Sequence, residues 1–565
     1  MSNSKTASGG LARIGRMLAR VLVLLAMLTP LGAEEFVPFQ PSHARLFLRV
    51  PAEAAPLKEA SVSAGECLPG NYEDTPEKRA RLTDITFPIT WWKWKEVVVK
   101  FTPSHDGTME LDLNGPWGEA RPGVLRQMEV LWDDLSAKGA VIINGGFEDE
   151  ADGKPAGWDS PWRPYPAADK WPLTGREAAE GKRVGASWHG RPLVTKLEVK
   201  AGVPVILTLH ARAATTPDFK APKILPSDTP AHRAAAKLKR GVNFGNGWEA
   251  EPGTWGIKYD TKDVDLVADQ GFDHIRVPVA WQFHLENGKI KPELLASLEP
   301  VLKRAIERKL TVILNWQHFE ALIHEPEANR AAFIAGWKTI ATHFKSYPET
   351  LYLELHNEPN GALDYEVLTS VHAQAIAAIR SVSPQRILLA DPPQWASVPG
   401  LDRFFLPDGD DRIITTIHSY EPFQFTHQRA GWVGFKDLRG ISYPGPPASP
   451  VAVPDSLKDN AGLVSWLEAY NTKKGTDNPC TAATFELLLD DAVAWSKHFG
   501  RPIHIGEFGC FKEADAVSRA RYVRDFRMAA EKRGIPWAMW DWKAGFGYWD
   551  AEQGKPLLRE ALFGK

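Results

Sequence analysis

Six apolar runs in the C-terminal part of this chain each end on residues able to do chemistry. Arg276 and Trp281 close one run, and Asn315-Trp-Gln-His318 closes the next. His356-Asn357-Glu358-Pro359, His418-Ser-Tyr420, Glu507 and Trp540 follow at the ends of later runs. Scattered surface polar residues would not keep that register. The set contains neither a serine or cysteine nucleophile in a recognisable elbow nor an HExxH-type metal pair. Two carboxylates at one mouth point to cleavage of a glycosidic bond. A carboxylic acid protonates the leaving oxygen, and a carboxylate about 5 Å away captures the anomeric carbon in the retaining case. Arg276 and the polar groups near His418 would favour the ionised form of Glu507. That charge would keep the proton on Glu358. Asn357 is expected to bond the sugar 2-hydroxyl, and Trp540 to give the ring a platform. The competing readings are structural: both glutamates as partners of Arg276, His318 and His418 as core histidines, and Trp540 as packing.

These side chains meet only if the runs are neighbouring parallel strands. Apolar strands are expected near 239–245, 274–279, 311–316, 351–357, 386–391, 413–420, 502–509 and 536–542, with helical stretches such as 292–309, 329–347, 365–382, 482–499 and 514–533 between them. The fifth connection is short and weakly helical. Eight such units across 238–565 predict a (β/α)8 TIM barrel, whose active site lies at the C-terminal strand ends. An open doubly wound sheet is the alternative, but no Gly-rich phosphate loop follows the first strand. The stretch 421–479, with Tyr443-Pro-Gly-Pro-Pro447, reads as a fixed irregular loop walling the cleft.

The region from about 238 onward resembles glycoside hydrolase family 5, a family of retaining cellulases and mannanases. The residues that carry this are Arg240-Gly-Val-Asn-Phe-Gly-Asn246, Ile275-Arg-Val-Pro278, Leu355-His-Asn-Glu-Pro359, Ile417-His-Ser-Tyr-Glu-Pro-Phe-Gln-Phe-Thr-His427, Ile505-Gly-Glu-Phe-Gly509 and Trp537-Ala-Met-Trp540 through Gly545-Phe-Gly547. The resemblance implies Glu358 as acid/base and Glu507 as nucleophile. It implies substrate contacts for Arg276, Asn357, His418, Tyr420 and Trp540, and for Asn246, Glu249, His427 and Trp432. His318 matches the second of two adjacent family histidines; Gln317 stands in place of the first, which implies altered substrate preference. The implied activity is cofactor-free, metal-free endo-β-1,4-glucan hydrolysis by a monomer. A β-mannanase or glucomannanase is the second enzyme reading, and a non-catalytic carbohydrate-binding protein the reading from another class.

Upstream the pattern changes. Residues 36–212 carry short alternating runs such as Glu96-Val-Val-Val-Lys-Phe101 between Gly, Pro and Asp turns, which predicts a β-sandwich. Leu131-Trp-Asp-Asp134 and Asn144-Gly-Gly-Phe-Glu148 resemble pieces of jelly-roll carbohydrate-binding modules, in reversed order. One permuted sandwich or two small ones would fit. Trp91-Trp92-Lys93-Trp94 could stack on sugar or pack in the core. Residues 213–237 read as a linker whose end could be ordered against the next domain. Residues 1–33, with Arg13, Arg16 and Arg20 before an apolar run and Gly32-Ala33, read as an export signal, so a secreted or periplasmic protein is expected. Cys67, Cys480 and Cys510 lack metal-ligand spacing; Cys480 with Cys510 is the pair one domain could join. A net charge of −3 gives no reason to expect nucleic acid or anionic membrane as partner.

Overall fold

The computed structural model describes residues 36–57, 59–63, 65–69, 81–122, 124–151, 154–160 and 178–564; the expected export signal lies outside them. The chain divides into two compact units, one ending at Lys220 and one beginning at Ala221. No helix among the described residues is long and apolar enough to cross a membrane.

The N-terminal unit is built from two antiparallel sheets of five and six strands, with a small three-stranded sheet beside them. Strand Val205–Ala213 alternates buried and half-buried residues along its length, as a strand with one covered face must. Phe87 of one large sheet meets Trp132 of the other edge to face at 6.1 Å. Strands from both sides of Asn144 interleave in each large sheet, so the segment forms one sandwich. The Asn144 motif is a turn: its Nδ2 donates to the carbonyls of Asp149 and Ala156, and Phe147 drops into the core against Trp158. Trp91 is buried against Phe219, and the Arg212 guanidinium covers Trp94 at 5.0 Å. Trp91 is thus a packed position, and Trp94 is half-buried beneath the guanidinium.

The second unit is a closed parallel barrel. Its strands are β1 Arg240–Asn243, β2 His274–Val279, β3 Thr311–Trp316, β4 Leu351–Glu354, β5 Leu388–Ala390, β6 Ile413–His418, β7 Ile503–Glu507 and β8 Trp537–Met539. Helices cover the strands outside, so side chains on both faces are buried and the runs are apolar. The linker expected at 213–237 is shorter than its bounds. Helix Pro230–Ala235, capped by Thr229, lies inside the barrel unit. Its Ala231, Ala234 and Ala235 pack with Leu238 on Ile313, Tyr352, Leu389 and Ile414. The stretch 421–479 is likewise less irregular than expected, because it contains helix Ala461–Thr472, capped by Asn460. Cys480 and Cys510 are both buried and unpaired, so the possible disulfide between them is absent.

Two glycines let polar groups into the barrel axis. A methyl on Gly241 would lie 2.1 Å from His274 Nε2, which itself meets His504 Nε2 at 3.1 Å. A methyl on Gly506 would lie 2.6 Å from Thr416 Oγ1 and 2.9 Å from His418 Nε2. At Gly506 the β6–β7 register also slips by one residue, which sets Glu507 opposite His418. Such irregularities re-aim a side chain at a strand end.

Candidate active site

Arg276 organises the floor of the barrel mouth. It is fully buried on β2 and bonds to side chains of β1, β4 and β7 and to Asn357 just after β4. Its Nε and Nη2 clasp Glu354 of β4 at 2.9 and 2.6 Å, and its Nη1 donates to Glu507 Oε1 at 2.7 Å and to Asn243 Oδ1 at 3.0 Å. Nη2 also donates to Asn357 Oδ1 at 2.6 Å. This contact turns the Asn357 amide so that Nδ2 has no protein partner. Removing the guanidinium would leave two buried carboxylates uncompensated, a cost of about 3–5 kcal/mol.

Glu507 also accepts a hydrogen bond from the Tyr420 hydroxyl at Oε2, 2.8 Å. Burial, with the Glu358 charge adding to it, raises its carboxyl, while Arg276 and the Tyr420 bond oppose the rise. Glu358 is raised chiefly by burial and has one side-chain partner, His418 Nδ1, 2.7 Å from its Oε1. The same Nδ1 is 3.7 Å from Glu507 Oε2. One oxygen of Glu358 and one of Glu507 lie within 4.8 Å of each other. Burial holds His418 down at about 4, so the ring between the two carboxyls is neutral near pH 7.

Around this pair opens a cleft of about 1020 Å³. Asn246, Glu249, Gln317, His318, Glu358, His418, Tyr420, His427, Trp432, Glu507 and Trp540 all line it. Arg276 and Asn357 lie beneath its floor. Asn246 donates its N–H to Glu249 Oε1 at 2.6 Å, and burial drives the Glu249 carboxyl well up. Gln317 sits against His318 at 3.2 Å, and its buried Oε1 has no protein partner. Phe423 stacks on His427 at 4.1 Å, and Trp432 meets Phe511 edge to face at 4.9 Å.

Sequence reasoning passed over Glu354 and Asp391, both fully buried under the pair, and Trp255 on the rim. Trp281 and Trp316 are core, whereas Trp395 is 61% exposed on the cleft wall. Asn246, His318, Glu358, Gln394 and Trp395 have φ between 41° and 63°. Non-glycine residues held there store about 1–3 kcal/mol each, and such strain gathers at functional sites.

A parallel eight-stranded barrel with two close carboxyls at its mouth, an arginine clamp below and aromatic walls above defines the glycoside-hydrolase class of barrel. Within that class the chain belongs to the cellulase family, glycosyl hydrolase family 5, whose profile matches residues 238–545. Endoglucanase 3 of Fibrobacter succinogenes is 27% identical over 336 residues, covering 56% of this chain and 51% of that protein. Endoglucanase C of Acetivibrio thermocellus is 26% identical over 349 residues, covering 58% of this chain and 97% of its own length. The chain thus spans about half of the Fibrobacter relative. Among solved structures, Thermotoga maritima Cel5A in complex with mannotriose aligns at 30% identity and TM-score 0.52, covering 60% of this chain and all of that one. The same enzyme has been solved with cellobiose. The cellulose synthase subunit Z of Clostridioides difficile aligns at 28% identity and TM-score 0.51, covering 58% and 100%.

Proposed function

We propose that the protein is an exported, retaining endo-β-1,4-glucanase with Glu507 as nucleophile and Glu358 as acid/base. The observation that carries this is the separation of the two carboxyls, with one oxygen of each within 4.8 Å. Retaining enzymes use a separation of about 5–5.5 Å, whereas inverting ones leave room for a water at about 6.5–9.5 Å. Glu507 takes charged and phenolic donors at both oxygens, which favours its ionised form. Glu358 shares its one side-chain bond with a neutral imidazole and keeps a proton to give. In the first step Glu507 attacks the anomeric carbon as Glu358 protonates the departing glycosidic oxygen. In the second, Glu358 takes a proton from water, which attacks the same carbon and releases Glu507. The Asn357 amide donor left open by Arg276 suits the sugar 2-hydroxyl, and Trp540 the face of the ring. Export rests on the basic-then-apolar pattern of residues 13–33.

A mannan or glucomannan substrate is the second reading, favoured by the Thermotoga relative's structures with both cellobiose and mannotriose. Reducing-end release on β-glucan, carboxymethyl cellulose, glucomannan, mannan and xylan tests both. Activity on one polymer that vanishes in Glu507→Ala, with the β-anomer formed first by proton NMR, is expected. Activity indifferent to Glu507→Ala, or the α-anomer formed first, would refute the assignment.

A further inference from the structure

Asp391 follows directly on β5 and is fully buried. Its Oδ2 accepts the backbone N–H of Glu358 at 3.0 Å and lies 3.9 Å from His418 Nε2. The other nitrogen of that imidazole is 2.7 Å from Glu358 Oε1. Asp391 therefore holds Glu358 at its backbone; its approach to His418 is too long for a hydrogen bond, and Nε2 has no partner there. Glu358 requires such a hold, because its φ of +51° lies in the left-handed region. The next peptide is tied to the same loop, with Trp395 N–H donating to Pro359 O at 3.1 Å.

Resting on the assignment of Glu358 above, we propose that Asp391 is a positioning residue: it pins the strained backbone that aims the Glu358 carboxyl at the leaving oxygen. It does not line the cleft, so it acts only through other groups. The groups facing it are Glu354 from β4, Arg276 from β2, Glu358 itself and His418 from β6. Burial, and then the charge of Glu354, push the Asp391 carboxyl well up, with Arg276 opposing. What the Glu358 N–H needs from Asp391 is one acceptor oxygen within reach. An asparagine supplies the same acceptor, whereas a leucine of similar size supplies none.

The test is kcat/KM on aryl β-cellobiosides, from the dinitrophenyl glycoside, whose phenol departs unaided, to the unsubstituted phenyl glycoside, which needs a proton. General acid catalysis contributes about 10²–10⁴-fold. Asp391→Leu is expected to lose about 10²-fold on the phenyl glycoside and under about 10-fold on the dinitrophenyl one. Asp391→Asn should stay within about 5-fold of wild type on both, since the acceptor persists. A loss in Asp391→Leu that is equal across leaving groups, or an Asp391→Asn as damaged as Asp391→Leu, would overturn the proposal. If the leucine variant does not fold, Asp391→Ser, too short to reach the Glu358 N–H, is read on the same series against the same two results. A wild-type enzyme inert on every aryl β-glycoside would remove the hydrolase reading as well, an outcome distinct from any difference among variants.

Discussion

His372 sits in helix Tyr365–Arg380 with its ring fully buried, edge-on to Phe404 at 6.1 Å, and neither ring nitrogen has a partner. Burial holds it down at about 3, against 6.5 in an unfolded chain. The folded state therefore keeps the ring neutral while the unfolded state takes up a proton below about pH 6.5. Its contribution to stability is full above that pH and is lost progressively as pH falls towards about 3. At about pH 5 the loss is about 2 kcal/mol from this one ring. His372→Phe keeps an aromatic ring of similar size and removes the titration. The measurement is urea unfolding of the full chain at about pH 7.5 and about pH 5, followed by near-UV circular dichroism. The gap between variant and wild type should move by about 2 kcal/mol in the variant's favour at the lower pH. If both lose stability in parallel, the ring is not held neutral in the folded barrel and the reasoning fails. The neighbouring His356, also held at about 3 by burial and then by His372, keeps titrating in the variant and cancels in this comparison only if the two rings act independently. The double substitution measures that coupling.

Two further expectations concern the reaction. Tyr420→Phe removes a donor from Glu507, so the nucleophile's carboxyl should rise and the acidic limb of the kcat/KM profile should move to higher pH. The loss in kcat/KM should be about 10–100-fold, the worth of a hydrogen bond to a charged group; an unmoved limb would count against Glu507 as the group that must be ionised. Gly506→Ala sets a methyl against Thr416 Oγ1 and His418 Nε2, both fixed on β6. About 1–3 kcal/mol of stability and at least about 10-fold in kcat/KM should be lost, because a displaced His418 misdirects both carboxyls. Wild-type kinetics in that variant would mean that β6 yields without cost.

The sequence was most legible where a strand is buried on both faces and sharply bounded. His274–Val279 and Thr311–Trp316 fall where their apolar runs place them. The run at 351–357 overstated β4, which stops at Glu354, because the apolar Leu355 continues the pattern while the backbone turns towards the left-handed Glu358. Helix Pro230–Ala235 escaped notice for a different reason. Six residues rich in alanine have no amphipathic stripe, and only the surface they cover gives them a face.

Below the cleft, residue types were readable but their pairing was not. In a parallel barrel both strand faces are covered, so the Glu in Leu351-Tyr-Leu-Glu-Leu carries no periodic sign of where it points. Only the register of β2, β3 and β4 brings Glu354 onto Arg276 and Asn315. That pairing changes the charge balance at the site. Among the described residues Arg276 is the one Lys or Arg bonded to Glu354 and Glu507, and Glu358 and Asp391 are buried around the same centre. One guanidinium cannot compensate four ionised carboxyls in so dry a setting, so protons must remain on some of them. The direct bonds set Arg276 against Glu354 and Glu507, whereas burial raises the carboxyls of Glu358 and Asp391. The proposed acid, Glu358, and the proposed nucleophile, Glu507, thus differ in their hold on that cation, a property of the register that no single motif contains.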